Sequence, residues 1–359
     1  MSPRDGLRQL LGIEHPILLA PMAGPGTAEL AIAVSEGGGL GSLPCAMLSP
    51  EEIKAQVQVI QQRTSRPFNL NFFCHKPPKV DAQRGDAWKS RLAPYYREFG
   101  LDPSAPVRAA NRSPFAEVHC ELIEELRPAV ASFHFGLPEE RLLARIKTAG
   151  CKVLSSATTV AEARWLEARG VDAIIAQGAE AGGHRGMFLT DDAMAQPGTF
   201  ALVPQVADAV KVPVIASGGI ADGRGIAAAF ALGASGVQVG TAFLFCPEAK
   251  LPAPHARALG EARDDGTVVT NVLTGRPARG FYNRAIQDLG PMAADAPEFP
   301  SAATALAPLR AHAEAQGLGD FSPLWAGQAA ALGGRTMRAQ ELTCSLALEA
   351  LAVVKALNG

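Results

Sequence analysis

The chain has 359 residues, 48% of them hydrophobic and 19% charged, a balance that excludes bulk disorder and suits a large globular core with an appendage. Its 33 basic and 35 acidic residues give a formal charge of −2, and no block of like charges marks a nucleic-acid or anionic-membrane surface. The six cysteines are widely spaced without a C-x-x-C pair, which excludes a disulfide framework and favours a reduced, cytoplasmic protein.

Short apolar runs alternate with segments of helical period, which indicates strand–helix units and a parallel sheet. Ser49 with Glu52 has the pattern of a capping box, and so has Thr159 with Glu162 further along the chain. Asp222 is a natural N-cap for a later helix. The predicted strands are residues 17–20, 39–43, 68–73, 129–134, 152–156, 173–177, 214–217 and 236–240.

Eight strand–helix units in about 240 residues match the size of a (β/α)8 TIM barrel, which we predict for residues 1–245. A doubly wound open sheet is the alternative, but no GxGxxG follows the first predicted strand. Residues 75–113 break the alternation and are predicted to be an insertion. Residues 246–320 have helix-like but no strand-like periodicity and are predicted to form a mainly helical domain on the substrate side. We expect residues 321–359 to pack back on the barrel.

Two segments are candidates for a targeting signal or a membrane span. The N-terminal sequence MSPRDGLRQLLGIEHP has acidic and proline interruptions and no apolar run of signal-peptide length. Residues 225–247 carry no charge and are long enough to cross a bilayer, but glycines and polar side chains interrupt them. A buried helix followed by a buried strand is the better interpretation, so we expect no membrane segment.

In such a barrel, function lies in the loops that follow the strands. Gly218 and Gly219 follow the seventh predicted strand, and Gly240 and Thr241 close the eighth. Glycines let a ligand approach the backbone closely, and exposed N–H groups attract an anion. Because the two loops follow neighbouring strands, they favour a phosphate site over simple turns.

A histidine stands in the glycine-rich segment QGAEAGGHRG that follows the sixth predicted strand at residues 177–186. These glycines exclude a regular helix. At the mouth of a barrel, beside a phosphate site, His184 is predicted to act as an acid or base. The alternative is a surface histidine in a flexible loop.

Three further strand ends carry groups that suit an organic ligand. Asn71 can hydrogen-bond a planar heterocycle through both faces of its amide, and Met22 can contact such a ring or belong to the core. His134 alternates with two phenylalanines and is predicted to point into the mouth, with a satisfied core histidine as the alternative. No metal-ligand cluster and no HExxH, GxSxG or Walker motif is present. The pattern favours a bound organic cofactor that ends in a phosphate.

Together these motifs resemble the nitronate monooxygenase family, formerly called 2-nitropropane dioxygenases, and most closely its class I branch. Members are FMN-dependent TIM-barrel enzymes. The resemblance rests on segments spread in order over most of the predicted barrel. They are PILLAPMAG (16–24), FNLNFF (68–73), SFHFGLP (132–138), AQGAEAGGHRG (176–186), IASGGI (215–220) and VQVGTAF (237–243).

The resemblance implies FMN as cofactor and a role for each matching residue. It makes His184 the catalytic base and His134 a second active-site histidine, without a metal. Arg185 or Arg284 is a candidate to meet an anionic substrate. The implied phosphate ligands are Gly218, Gly219, Gly240 and Thr241. The implied contacts to the rest of the cofactor are Met22, Asn71, Gln177, Gly182 and Gln238.

The implied activity is the oxidation of alkyl nitronates, such as propionate 3-nitronate, by O2 to a carbonyl compound and nitrite through a flavin semiquinone. Such an enzyme would detoxify nitroalkanes in the cytoplasm. One alternative is an FMN-dependent NAD(P)H:quinone or enoyl reductase on the same scaffold, which NADH or NADPH would bleach without oxygen. A more remote alternative is a flavin-binding module without turnover.

Overall fold

The computed structural model describes residues 3–79, 81–105 and 112–357. Val80 and residues 106–111, which belong to the predicted insertion, lie outside the described residues. The described strands are, in chain order, β1 (Ile17–Leu19), β2 (Gly41–Pro44), β3 (Phe68–Phe73), β4 (Val130–His134), β5 (Lys152–Ala157), β6 (Ala173–Gln177), β7 (Gly183–His184), β8 (Val214–Ser217), β9 (Gly236–Val239), β10 (Thr267–Thr270) and β11 (Ala278–Phe281).

Eight of these strands are parallel neighbours in the order β1-β9-β8-β6-β5-β4-β3-β2. Backbone hydrogen bonds from Leu19 to Leu40 and from Leu40 to Ile17, each 2.9 Å long, join the two ends of this sheet. The ring is therefore closed. The predicted (β/α)8 barrel is confirmed, and the open doubly wound sheet is wrong.

The helices cover the outside of the barrel and build the second unit. The last helix packs against the helices that follow β1 and β8, so it occupies the eighth place in the outer ring. In chain order the helices are α1 (Pro3–Leu11), α2 (Ala28–Glu36), α3 (Pro50–Arg63), α4 (Ala82–Glu98), α5 (Glu117–Leu126), α6 (Glu140–Thr148), α7 (Val160–Ala168), α8 (Thr199–Ala209), α9 (Gly223–Ala231), α10 (Ala253–Gly260), α11 (Arg284–Leu289), α12 (Ser301–Ala315) and α13 (Ala339–Leu357).

One of the two predicted capping boxes forms only in part. The box at Ser49 has both of its hydrogen bonds. At the start of α7 the Thr159 hydroxyl accepts from the backbone N–H of Glu162, as predicted. The Glu162 carboxylate does not complete the box. It accepts from the N–H groups of Phe188 (2.6 Å) and Leu189 (3.0 Å). This buried carboxylate therefore anchors the far end of the glycine-rich loop.

The second unit differs from its prediction in two ways. Residues 267–281 form a β10–β11 hairpin, which was not predicted within this mainly helical domain because the strands are short and their polar residues hide the alternation. The insertion contains α4, whose Trp88 and Leu92 share an apolar core with Leu306 and Leu309 of α12. The domain boundaries at 245 and 320 stay a prediction.

The hairpin is also tied to the barrel. β11 pairs with β7 antiparallel, with Ala278 opposite His184. The second unit thus holds the backbone of the residue that the sequence marks as a base. The uncharged stretch 225–247 forms most of α9 and all of β9, as predicted. No helix in the described part of the chain is both long and apolar enough to cross a bilayer.

Candidate active site

A cavity of about 530 Å³ opens where the barrel strands end, within the range of cofactor and small-molecule sites. The structure brings all the residues that were assigned to catalysis or cofactor binding into its lining. They are Met22, Asn71, His134, Gln177, Gly182, His184, Gly218, Gly219, Gln238, Gly240 and Thr241.

One end of the cavity is built from backbone. Gly219 has a φ of +71°, which side-chain-bearing residues rarely adopt, and a Cβ at Gly240 would lie 3.2 Å from the Cβ of Ala20. The N–H groups of Gly219, Ile220 and Gly240 donate to no acceptor among the described residues. Clustered N–H donors of this kind bind anions, so this end has the chemistry of a phosphate site.

Thr241 and Gly182 join this end to the segment before the last helix. The Thr241 hydroxyl accepts from the N–H of Gly327 at 2.9 Å. A Cβ at Gly182 would lie 2.7 Å from the Gly327 nitrogen, so glycine is required there for close packing. Gln238 reaches the Ser217 hydroxyl at 3.4 Å, a long contact that leaves most of its amide able to meet a ligand.

The loop with His184 forms another part of the lining, and a buried arginine holds that loop together. Arg185 is 0% exposed and donates to the carbonyls of Gly178, Ala179, Ala181 and Gly183. Burial, and next the charge of Arg279, lower the pKa of Arg185 to about 9. Arg185 is therefore an internal brace, and the prediction that it meets a substrate is wrong.

Two predicted ligands also brace this loop. The Gln177 amide donates to the His184 carbonyl at 3.0 Å and accepts from the Gly186 N–H at 2.7 Å. His134 bonds the same carbonyl through Nε2 at 3.1 Å and the Ser156 hydroxyl through Nδ1 at 2.7 Å. A carbonyl only accepts, so His134 carries its proton on Nε2 and Ser156 donates to Nδ1. Burial above all lowers the pKa of His134 to about 3, which keeps this arrangement neutral.

The His184 ring lies against Phe299, at 5.1 Å between ring centres, and its Nε2 is 3.0 Å from the Thr274 hydroxyl. Burial, and then the charge of Arg112, hold the pKa of His184 well below its usual value. The ring is therefore neutral near pH 7 and has a lone pair to accept a proton. A bound anion would move this pKa back upward.

Asn71 and Met22 face the cavity in different ways. The Asn71 amide nitrogen donates to the hydroxyl (2.9 Å) and the carbonyl (3.3 Å) of Ser132. Only its oxygen remains for a ligand, so the expected use of both amide faces is wrong. Met22 packs against the barrel core and against the core of the segments after β9, which places it at the junction of the two.

The cationic side of the cavity was not predicted from the sequence. Arg112, Arg310 and Lys250 line it, and the described lining contains no acidic residue. The Nε and Nη1 atoms of Arg112 are buried without a hydrogen-bond partner among the described residues. Arg310 is held at 2.8 Å by Glu314. No signal in the sequence marks these arginines, because neither follows a barrel strand.

The arginine that the sequence suggested in their place lies elsewhere. Arg284 is bonded to Glu98 at 2.6 Å and is not part of the cavity lining, so its predicted contact with an anionic substrate is wrong. Among the described residues, no group of three or more His, Cys, Asp or Glu side chains has the arrangement of a metal site.

Residues 4–349 match the family model described as nitronate monooxygenase. A nitronate monooxygenase of Pseudomonas aeruginosa is 44% identical over 96% of this chain and 99% of its own length. A nitroalkane oxidase from Streptomyces ansochromogenes superposes with a TM-score of 0.89 at 36% identity, over 98% of this chain and 99% of its own. FabK from Thermotoga maritima superposes with a TM-score of 0.76 at 30% identity, over 98% of each chain.

Proposed function

The chain belongs to the nitronate monooxygenase family, and from that premise we propose that it oxidises alkyl nitronates with O2 to a carbonyl compound and nitrite, with FMN as its cofactor. The observation that carries this proposal is a single cavity whose lining contains both open backbone N–H groups that can bind an anion and a neutral histidine. The family is generally flavin-dependent, and FMN is the flavin that we propose for this cavity.

The residues present fit FMN. The open N–H groups of Gly219, Ile220 and Gly240 suit a phosphate, and a Cβ at Gly240 would fill the approach to it. The Asn71 oxygen and the Gln238 amide suit the polar edge of a flavin ring, and Met22 suits its face. When bound, FMN would supply the oxidation chemistry and the reaction with O2.

We assign to His184 the removal of the α-proton from neutral nitroalkanes. A neutral nitroalkane must lose this proton before it can be oxidised, whereas a nitronate has already lost it. His134 and Gln177 both bond the His184 carbonyl and so hold the base in place. They position the loop and do not themselves move the proton.

Arg112 and Arg310 suit a substrate with a second negative charge. The buried, unpartnered guanidinium atoms of Arg112 favour an anion that displaces water from them, and no acidic lining residue opposes it. Propionate 3-nitronate carries a carboxylate at the end remote from its nitronate group. We therefore propose it as a better substrate than the nitronate of 1-nitropropane, which lacks the carboxylate.

The test combines absorbance of the purified protein with nitrite release in air. We expect a flavin spectrum, FMN released on denaturation, and nitrite from both nitronates with a larger kcat/KM for propionate 3-nitronate. Arg112→Gln should narrow that preference about tenfold, the value of one charge-assisted hydrogen bond. Arg284→Gln is the matched control outside the cavity. Flavin without nitrite from any nitronate would contradict the proposal.

An NAD(P)H-dependent reductase is the second candidate, because the likeness to FabK shows that this scaffold is not confined to enzymes named for nitro compounds. Rapid bleaching of the flavin by NADH or NADPH without oxygen, together with slow nitronate turnover, would favour the reductase. Bleaching by a nitronate alone would favour the monooxygenase.

A further inference from the structure

A threonine of the second unit contacts the ring of His184. Thr274 lies in the turn between β10 and β11 and is 1% exposed. Its hydroxyl oxygen is 3.0 Å from His184 Nε2 and 3.3 Å from the carbonyl oxygen of Arg276. The hydroxyl therefore stands between a ring nitrogen and a carbonyl.

The number of hydrogens available to these two hydrogen bonds fixes the tautomer of the histidine. A hydroxyl has one hydrogen, and the Arg276 carbonyl can only accept, so Thr274 donates to that carbonyl. The remaining contact then requires a hydrogen on His184 Nε2, which donates to the Thr274 oxygen. A neutral imidazole has a single N–H, so Nδ1 carries the lone pair.

We propose that Thr274 is a positioning residue that fixes His184 as the Nε2–H tautomer, and that Nδ1 is the atom that takes the substrate proton. This inference rests on the proposed role of His184 as base. Nδ1 bonds to no described residue and is not among the sealed, unpartnered polar atoms. It is therefore the ring nitrogen that remains available to a ligand in the cavity.

The surroundings of His184 leave the choice of tautomer to Thr274. The charged and titratable groups that act on the ring are Arg112, His134, Arg276 and Arg185. Positive charge disfavours the protonated ring but does not choose between the two neutral tautomers by itself. His134 meets only the backbone carbonyl of His184. Thr274 is the described side chain that bonds a ring nitrogen.

The test compares Thr274→Val, which keeps the shape and loses the hydroxyl, with Thr274→Ser, which keeps the hydroxyl. Long-range nitrogen-15 NMR of histidine reports the tautomer directly, and His184→Asn identifies the His184 signals among the seven histidines. We expect a single Nε2–H tautomer in the wild type and in Thr274→Ser. Thr274→Val should show the Nδ1–H form or a mixture.

Kinetics supply the second measurement. Thr274→Val should lower the turnover of neutral nitroalkanes about 10- to 100-fold, a part of the gain that a positioned base gives. Oxidation of the preformed nitronate should fall less than about threefold, because it needs no base. Thr274→Ser should restore both. An Nδ1–H tautomer in the wild type, or an unchanged tautomer in Thr274→Val, would overturn the inference.

Failure of the proposed function has a different signature. If His184→Asn kept full nitroalkane turnover while Thr274 still set the tautomer, His184 would not be the base. The assignment of Nδ1 as proton acceptor would then fall with it. An altered tautomer in Thr274→Val with normal nitroalkane turnover would also overturn the role of Nδ1.

Discussion

Two parts of the cavity lining use glycine for different purposes. At the phosphate end, Gly219 and Gly240 leave backbone N–H groups open and bring a ligand close to the chain. In the loop that carries His184, the glycines of residues 178–186 let the chain turn, and side chains hold its carbonyls: Arg185 and Gln177 from the loop and the strand before it, and His134 from β4. The first site is a local property of two loops. The second depends in addition on His134 of β4 and on the pairing of β7 with β11.

The largest expected effect comes from a substitution at the phosphate end of the cavity. Gly219→Val places a β-branched side chain at a φ of +71° and blocks the approach of an anion. We expect flavin affinity to fall more than about 100-fold, since backbone N–H donors to an anion are charge-assisted and several are lost. The protein should purify folded and colourless, as absorbance and circular dichroism would show.

Gly317→Val is the matched control for that strain. Gly317 has a φ of +74° and no atom within 4 Å of its Cβ position, and it does not line the cavity. This variant should lose similar stability and keep its flavin. Full flavin occupancy in Gly219→Val would refute the phosphate site.

The difference between these two parts of the lining explains which features of the fold and the site could be predicted from the sequence. Strand periodicity located the ends of all eight barrel strands within two residues, and glycine pairs located the phosphate end, because both signals are local. His184 could be placed on its loop for the same reason. Its partner Thr274 is 90 residues away in sequence, in a hairpin that the periodicity did not reveal. Arg112 was equally hidden.

The next largest expected effect comes from the removal of Arg185, which holds the His184 loop together. Arg185→Met leaves four carbonyls without their donors inside the protein, and we expect the free energy of unfolding to fall by about 3 kcal/mol. Urea denaturation measures this. The exposed Arg263→Met should change stability by less than about 0.5 kcal/mol. Equal values for the two variants would show that the loop is held by other means.

The smallest expected effect is a loss of folding stability at low pH, and it comes from His75. Burial, and next the charge of Arg276, lower the pKa of His75 to about 4. The unfolded chain binds this proton near pH 6.5, so the folded state loses stability as the pH falls from 6.5 toward 4. This contribution is about 1 kcal/mol at pH 5.5.

His75→Phe removes the titrating group and keeps a ring in contact with Phe299, which lies 4.9 Å from the His75 ring centre. The variant should lose about 1 kcal/mol less stability than the wild type between pH 7.5 and pH 5.5. Denaturation midpoints at the two pH values measure this. Identical pH dependence in both proteins would assign the acid sensitivity to other groups.

The proposed reaction of neutral nitroalkanes depends on His184 as the base, and one variant tests this role most directly. His184→Asn keeps a polar group of similar reach but cannot take a proton. With FMN retained, we predict that turnover of a neutral nitroalkane falls by about 10²- to 10⁴-fold, while oxidation of its preformed nitronate falls far less. An equal, large loss with both substrates would mean that His184 binds the nitro group and does not move the proton. No loss with either would contradict the site itself.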